Sequence, residues 1–333
     1  VSADQEDSSV VLLDAQTIKS QSMKHFEQLS YLVPNLNFAA SDSRARYFQI
    51  RGIGERSGYQ GTPNSSVGFL IDDIDYSGQG GIATTFDVEQ IEIHRGPQGS
   101  RIGANALAGL IYIRTKEPTD MFEANSEITL GSYGIKSTGL AFGGPFKENE
   151  NISYRLAFRK DKEDGFRKNL YLKQSDTSRK DESTSRLKIN WEPSEKTTVK
   201  LLVSRVHLND SADIWTLDGS LNTLSDRPGM DSQKTSSYGL KIFQDLEGFE
   251  IQSLTSSTDT DVIFSYDADW GNEDSWSPFI YDYFSETLRD RRTFGQEFRL
   301  VSDAADLKRN KKIEWIFGVS YLEIKESNLK KDD

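Results

Sequence analysis

Acidic residues and closely spaced glycines are the features of this sequence that could bind a metal ion or a phosphate group. Asp72, Asp73 and Asp75 could offer carboxylates to calcium, but their spacing is not that of an EF-hand loop. The glycine-rich stretch 52–58 lacks the Gly-Lys-Ser/Thr ending of a P-loop and the helical pattern that follows in a dinucleotide fold. We therefore interpret the aspartates as a hairpin turn with a solvated neighbour and the glycines as turn residues.

Residues for catalysis are equally sparse. The three histidines, His25, His94 and His207, have no metal-ligand partner at a useful spacing, and neither a Gly-x-Ser-x-Gly nor a His-Glu-x-x-His motif occurs. The absence of cysteine excludes disulfides, thiolate catalysis and Cys-type zinc sites. The sequence therefore predicts a protein that is not an enzyme and needs no cofactor. Carboxylates brought together by folding are the alternative left open.

Composition narrows the class of protein further. The formal net charge of −12 argues against sequence-independent nucleic-acid binding. A hydrophobic fraction of 35% and a mean hydropathy of −0.60 are low for a buried core but normal for a barrel whose strands hide one face from lipid. No stretch of about eighteen apolar residues occurs, so no transmembrane helix is predicted, whereas barrel strands would give only a weak hydropathy signal.

The N-terminal third has the pattern of a small mixed α/β domain, which we assign to residues 1–120. Asp14 is a predicted helix N-cap, and apolar residues at helical spacing predict a helix from Met23 to Val33 that Pro34 ends. Short strands are predicted at Val10–Leu13, Tyr47–Arg51, Val67–Ile71, Ile74–Tyr76, Ile91–Arg95 and Leu110–Thr115.

Residues 121–333 change to long strands in which apolar and polar residues alternate. We predict strands near 124–131, 136–143, 152–160, 184–192, 197–207, 235–243, 249–258, 290–302 and 313–325. Short turns between them alternate with long loops at Asp161–Ser183, Leu208–Lys234 and Asp259–Arg289, the order found in outer-membrane barrels. The fold class is therefore a mixed α/β domain followed by an antiparallel transmembrane β-barrel. The alternative is a soluble antiparallel sheet with one wet face.

Six charged residues on these strands share the face opposite the apolar one. On the lipid side near the bilayer midplane a charge would cost roughly 2–4 kcal/mol, whereas charges facing the lumen cost little. Trp191 at a turn end suits an interfacial aromatic girdle. The charged residues opposite the apolar face are Arg155, Arg159, Arg186, Lys188, Glu297 and Arg299. This pattern favours the barrel over the soluble sheet.

The segment from Asp87 to Thr119, DVEQIEIHRGPQGSRIGANALAGLIYIRTKEPT, resembles the plug domain of TonB-dependent outer-membrane receptors. Its glycines stand where the backbone needs a positive φ or close contact. The segments Ile50–Gly54 and Val67–Asp72 resemble the family's Ile-Arg-Gly stretch and its Val-x-x-Tyr-Ile-Asp-Gly hairpin, in the family's order. The departures are Asp73 for a turn glycine, Ile102 for an aromatic residue, Ala108 for a glycine and Tyr112 for an asparagine.

The resemblance implies an integral β-barrel of a Gram-negative type outer membrane, closed by a plug threaded inside it. Such a receptor takes up a scarce ligand, most often a ferric siderophore, while a TonB-type energy-transducing protein of the inner membrane pulls its N-terminal segment by strand addition. Its partners would be this protein, the lipid bilayer and the small ligand, with no nucleic acid. The alternative is a soluble module that binds glycans through aromatic loops on an antiparallel sheet.

Ligand contact is expected at the plug apices and at one long loop. The apical candidates are Tyr59, Gln60, Tyr76 and Gln79, whose rings and amides could stack on and hydrogen-bond a ligand. The loop Asp259–Arg289 adds Trp270, Trp276, Tyr281 and Tyr283 among many carboxylates. An acidic aromatic surface repels strongly anionic ligands, so it favours a neutral or cationic siderophore, or a glycan.

The resemblance also implies a latch between plug and barrel. Arg51 and Arg95 each precede a glycine at the end of a plug strand, where the family's arginines pair with glutamates on the barrel wall. We expect their partners beyond Asp333, and we expect turn glycines at Gly52, Gly96, Gly99 and Gly103. About nine strands cannot enclose a plug, for which about 22 are used, so the sequence predicts an open, partial barrel wall with an unpaired last strand.

Overall fold

A computed structural model describes residues 9–21, 23–40, 43–56, 65–99, 105–146, 149–302 and 314–333. The predicted ligand residues Tyr59 and Gln60, the predicted turn residue Gly103 and most of the turn between the last two strands lie outside the described residues.

The first part of the chain forms a small mixed α/β unit, which we call the plug. Its elements are β1 (Val10–Asp14), α1 (Ala15–Ser20), α2 (Phe26–Leu29), β2 (Leu36–Ala40), β3 (Ala45–Ile50), β4 (Val67–Ile71), β5 (Ile74–Asp75), β6 (Val88–Arg95) and β7 (Gly109–Thr115). Five strands make one sheet in the order β1-β6-β7-β4-β5, and β2 pairs with β3 beside it.

Helix ends in the plug follow local capping. Asp14 accepts a hydrogen bond from the Thr17 amide at 2.7 Å and caps α1, as predicted. The helix predicted from Met23 to Val33 is wrong in extent, because it begins only after His25 and gives way to a 3₁₀ turn at Ser30–Leu32. His25 and Gln28 form a capping box there, which fixes the start of α2 at Phe26.

The plug core is aromatic and extends onto the neighbouring sheet. The rings of Phe26, Phe48 and Phe69 contact one another at centroid distances of 5.2 to 6.1 Å. The same buried cluster includes Leu202, Val206 and Leu208 of the large sheet. The plug therefore shares its hydrophobic core with the sheet that follows it.

The rest of the chain forms a nine-stranded antiparallel sheet, which we call the wall. Its strands are β8 (Glu123–Leu130), β9 (Lys136–Phe146), β10 (Asn149–Glu163), β12 (Lys180–Ser194), β13 (Thr197–Ala212), β15 (Gly229–Leu246), β16 (Phe249–Asp267), β17 (Phe284–Ser302) and β18 (Ile316–Asp332), and the short strands β11 (Lys168–Asn169) and β14 (Asn222–Thr223) pair in the loops. In the described part of the chain β8 and β18 are the two edges, so the predicted fold class and open wall are confirmed.

Wall strands extend further toward the long loops than the sequence predicted. The loop expected at Asp259–Arg289 spans only residues 268–283, because the ladder between β16 and β17 continues from Val262–Arg289 to Asp267–Phe284. Backbone pairing extends the strands there, past the last residues of clear apolar alternation. No helix among the described residues is long and apolar enough to cross a membrane.

Candidate functional site

The inward face of the wall is polar and meets the plug. Four of the residues predicted to face the lumen are buried: Arg155, Arg159, Arg186 and Lys188. Arg155, Arg186 and Lys188 form hydrogen bonds with the plug. Buried charges are tolerated only where they are paired and hydrogen-bonded. The contacts between plug and wall are therefore the first place to look for function.

Near the long loops, plug arginines meet wall carboxylates. The Arg44 guanidinium donates to Glu182 from Nε at 2.5 Å and from Nη2 at 2.9 Å, and its Nη1 donates to Glu27 of the plug at 2.6 Å. Arg46 pairs with Asp231 of β15 and donates to Gln233 at 2.9 Å. The forked contact of Arg44 fixes both distance and orientation between α2 and β12.

His25 lies beside the contact between Arg44 and Glu27, and the pKa values of His25 and Glu27 are both shifted. Its Nε2 donates to the Gly81 carbonyl at 3.0 Å, and its Nδ1 accepts from the Glu27 amide at 3.3 Å. Burial lowers the pKa of His25 to about 4, so the ring is neutral at pH 7. Burial opposes ionisation of Glu27 as well, but His25 and Arg44 outweigh it and lower the pKa of Glu27 to about 2.

Acidification is expected to loosen this end of the plug. The unfolded pKa of His25, near 6.5, lies above its folded value, so the unfolded chain binds the extra proton and stability falls as the pH drops from 6.5 to about 4. The loss should be about 3 kcal/mol for local opening, measured by hydrogen exchange of α2 amides in the intact protein. Above pH 6.5 the contribution is constant. In His25→Gln the slope between pH 6.5 and 4.5 should vanish, and an unchanged slope would contradict the assignment.

Midway along the wall, one plug ring enters a recess of small residues. Phe86 packs with Ala141 and Ala157, and a side chain at Gly139 would overlap its ring. Arg159 lies over the ring at 5.5 Å, and Arg186 donates to the Phe86 carbonyl at 2.6 Å. These contacts make Phe86 the deepest anchor of the plug on β9, β10 and β12.

Asp87, the residue after Phe86, adds an ion pair with Arg155 of the wall. Both its carboxylate oxygens accept from Arg155, at 2.8 Å from Nε and 2.5 Å from Nη2, and both side chains are buried. A bidentate pair of this kind is directional as well as strong. It holds the start of β6 in register with β10.

At the short-turn end the charges are reversed, and plug carboxylates meet wall lysines. Lys188 donates to Asp72 at 3.0 Å and to Glu117 at 2.6 Å, and Lys200 donates to Glu117 at 3.2 Å. Asp73 pairs with Lys241. Asp72 and Asp73 form the turn between β4 and β5, so the predicted hairpin turn is confirmed, but Asp72 is buried and paired instead of solvated.

The opposite signs at the two ends give the interface a direction. A plug inserted the other way round would place carboxylates against Glu182 and Asp231 and would leave Lys188 against arginines. Like charges in contact cost several kcal/mol, so the pattern orients the plug within the wall.

Two of the predicted apical residues, Tyr76 and Gln79, are covered by the wall. Tyr76 and Gln79 are 2% and 4% exposed, and Gln79 accepts a hydrogen bond from Thr260 of β16 at 2.8 Å. Strands β15 and β16 pass over this turn, with Thr260 of β16 bonded to Gln79. Ligand contact at these two residues stays a prediction.

The loop aromatics do face solvent. Trp270, Trp276 and Tyr281 are exposed, and the rings of the last two contact edge to face at 5.6 Å. Tyr283 is half-buried, and its amide donates to Asp269, which also accepts from the Gly271 amide. The loop is therefore held at its base while its rings stay open.

The predicted latch residues occupy strand ends. Arg51 is exposed with a φ of 54°, and its amide donates to the Asn35 carbonyl; Arg95 is half-buried, and its amide donates to the Ser9 carbonyl. Their role as a latch stays a prediction.

Two of the predicted turn glycines have a positive φ, 81° at Gly52 and 133° at Gly96, whereas Gly99 does not. The sequence analysis did not single out Arg44, Arg46 and Asp87 as contacts; Arg46 lies in β3, and Arg44 and Asp87 directly precede β3 and β6.

Known proteins resemble both parts of this architecture. Residues 2–110 match the sequence model of the TonB-dependent Receptor Plug Domain. The vitamin B12 transporter BtuB of Vibrio vulnificus (strain YJ016) is 29% identical over 97 residues, which are 29% of this chain and 16% of the transporter.

Solved receptors share the fold over the whole chain. The ferric yersiniabactin uptake receptor FyuA from Yersinia pestis superposes with a TM-score of 0.82 at 17% identity, covering 100% of this chain and 51% of the receptor. The siderophore receptor PiuA from Acinetobacter baumannii superposes with a TM-score of 0.75 at 16% identity, covering 96% of this chain and 46% of the receptor. This chain thus spans about half the length of these receptors. Residues 2–110 match the plug domain of TonB-dependent receptors, and the whole chain has the fold of the plug and part of the β-barrel of solved outer-membrane receptors.

Proposed function

We propose that this protein takes up a scarce small ligand of the ferric siderophore class by energy-coupled movement of its plug. It performs no covalent chemistry on the ligand. Residues 1–120 would act as the moving plug and residues 121–333 as the first part of the enclosing barrel. FyuA and PiuA, which share the fold, are named as siderophore receptors.

The observation that carries this proposal is the polar character of the contact between plug and wall. Beside the apolar contacts of Phe86 and of the shared core, ion pairs join plug and wall at Arg44–Glu182, Asp87–Arg155 and Asp72–Lys188. Polar contacts can be exchanged one by one for contacts with water, at a net cost of roughly 0.5–1.5 kcal/mol for a typical hydrogen bond. An interface of this kind supports a plug that is held firmly at rest and shifts under load.

The position of β1 supports coupling to a TonB-type energy-transducing protein. Among the described strands β1 is an edge of the plug sheet and pairs only with β6, from Val10–His94 to Asp14–Gln90. A pull on the chain before β1 would open this ladder from its end, which needs less force than shearing it. Strand addition at the N-terminal segment is the mode of contact that we propose for this partner.

The soluble glycan-binding alternative disagrees with the outward face of the wall. Many large apolar side chains there are exposed: Leu140, Phe158, Trp191, Tyr238, Leu240, Ile242, Phe294, Phe298, Phe317, Val319 and Tyr321. A soluble protein rarely exposes a contiguous apolar surface of this extent.

Uptake by cells tests the proposal directly. The intact receptor is expressed in a strain that lacks its own siderophore receptors, and ⁵⁵Fe accumulation is measured with a panel of neutral, cationic and anionic siderophores. We expect accumulation from a neutral or cationic complex that stops when a protonophore removes the proton gradient. Accumulation that survives the protonophore, or its absence with every siderophore of the panel, would contradict the proposal.

The exposed ring pair of the loop should contribute to ligand affinity. We expect the double substitution Trp276→Ala and Tyr281→Ala to weaken siderophore binding about thirtyfold, since each aromatic contact is worth about 1 kcal/mol. Binding to cells held without an energy source separates affinity from transport. Ile280→Ala, in the same loop and fully exposed, is the matched control and should bind normally. Equal affinity of the double variant and the control would exclude these rings from the site.

A further inference from the structure

The outward face of the wall has an apolar belt with a sharp upper boundary. Paired residues across β10, β12, β13 and β15 form rows in register, and the rows that start at Ile152, Tyr154 and Leu156 are apolar throughout. Their members are Ile152, Trp191, Val199 and Ile242; Tyr154, Ile189, Leu201 and Leu240; and Leu156, Leu187, Val203 and Tyr238. These rows lie where lipid chains would cover them.

Cations replace apolar residues directly above this belt. The next two rows read Phe158, Ser185, Arg205 and Ser236, and then Lys160, Ser183, His207 and Lys234. Lys162 and Lys136 stand one row higher on β10 and β9. Only about 13 Å of strand separates Leu156 from Lys160. We call Lys136, Lys160, Lys162, Arg205, His207 and Lys234 the outward basic patch; all six are exposed.

A groove of about 530 Å³ lies within this patch. Leu140 and Phe158 line it with apolar atoms, Lys160, Arg205 and His207 line it with nitrogen donors, and Ser183 adds a hydroxyl group. Its lining thus combines an apolar part continuous with the belt and a basic part, a combination that fits an amphiphile with an anionic head.

The protein itself neutralises part of this charge, since Lys234 lies opposite Asp261 of β16 in the strand ladder. Lys160 and Lys162 share one carboxylate, Asp181, which lies 3.5 Å from Lys162. Within the described ranges Arg205 makes no ion pair and no side-chain hydrogen bond. A net charge of −12 for the whole chain makes a local excess of cations at a lipid-facing position a specific feature rather than a reflection of composition. Basic groups at a membrane surface attract anionic lipid heads.

We propose that the outward basic patch binds the phosphate-bearing head of a lipid in the leaflet nearest the long loops. The phosphate oxygens accept hydrogen bonds from Arg205 and Lys160, with His207 beside them, and the acyl chains lie along the apolar belt below. This site is separate from ligand uptake, because it lies on the opposite face of the strands from the plug.

Binding of a matched lipid pair to the intact receptor tests the proposal. The receptor in nonionic detergent is titrated with dioleoyl phosphatidic acid and with dioleoylglycerol, which has the same chains but no phosphate, and bound lipid is counted by native mass spectrometry. We expect at least tenfold tighter binding of phosphatidic acid. The triple variant Lys160→Gln, Arg205→Gln and His207→Gln should lose most of this preference, and Arg205→Lys should keep it.

The matched control removes outward cations elsewhere. Arg292 and Lys325 face outward on β17 and β18, so Arg292→Gln with Lys325→Gln should bind phosphatidic acid within about twofold of the native receptor. Unchanged heat-modified mobility on a gel shows that each variant is folded. Equal binding of the two lipids, or an unchanged preference in the triple variant, would overturn the proposal. Displacement of phosphatidic acid by equimolar inorganic phosphate would also overturn it, since the site would then hold a soluble anion.

Discussion

Phe86→Ala is expected to release the middle of the plug from the wall. The ring is 5% exposed in a recess formed by Gly139, Ala141 and Ala157, which are too small to fill the space that it would leave. Removing a buried phenylalanine side chain costs about 3–5 kcal/mol. We expect hydrogen exchange of the β6 amides near Val88 to accelerate by two to three orders of magnitude in the intact receptor. Hydrogen exchange of the amides in wall strands β15 and β16 should stay unchanged.

A substitution on the wall side of this recess tests whether packing against the Phe86 ring causes the effect. In Gly139→Val the added side chain would occupy the space of the Phe86 ring, so we expect a similar acceleration of exchange. The double variant Phe86→Ala with Gly139→Val restores volume within the recess and should be more protected than either single variant, a coupling that only residues in contact show. Strict additivity of the two single effects would disprove the proposed contact.

Arg44→Ala is expected to have the second large effect, at the end of the plug near the long loops. It would leave Glu27 and Glu182 buried without their cation, and breaking a buried pair by removing one partner costs about 3–5 kcal/mol. We expect the α2 and β3 amides to lose protection by a comparable free energy, and plug-specific protease cleavage in the intact receptor to accelerate.

Two comparisons make this result interpretable. Arg292→Ala removes an arginine from an exposed pair with Asp259 and should change stability by at most about 0.5 kcal/mol. The variant Arg44→Met with Glu182→Gln removes both charges of the pair and should recover part of the loss, because no lone carboxylate then remains on the wall side. Equal effects of Arg44→Ala and Arg292→Ala would show that Arg44 is not a structural contact of the plug.

Much of the wall could be predicted from local pattern. A strand's side chains alternate with a period of two, so runs such as Ile152–Phe158 reveal both the strand and its lipid face without knowledge of any partner. The β9 and β13 starts at Lys136 and Thr197 agree with the prediction, and the β8 start at Glu123 differs by one residue. Strand ends near the long loops were predicted too short, because there pairing with a neighbour, not alternation, maintains the strand. The boundary at residue 120 and the predicted ligand residues stay predictions.

The sequence by itself determined the class of protein, through the Asp87–Thr119 segment and the alternating strands, since both depend on residues close together in the chain. Only the tertiary structure decided which charges hold the plug. Arg44 and Glu182 are 138 residues apart, and Asp87 and Arg155 are 68 apart. Any of the many charged residues could pair with any other until folding brings two faces together. Buried charges then require a specific partner, because an unpaired charge cannot recover its lost hydration.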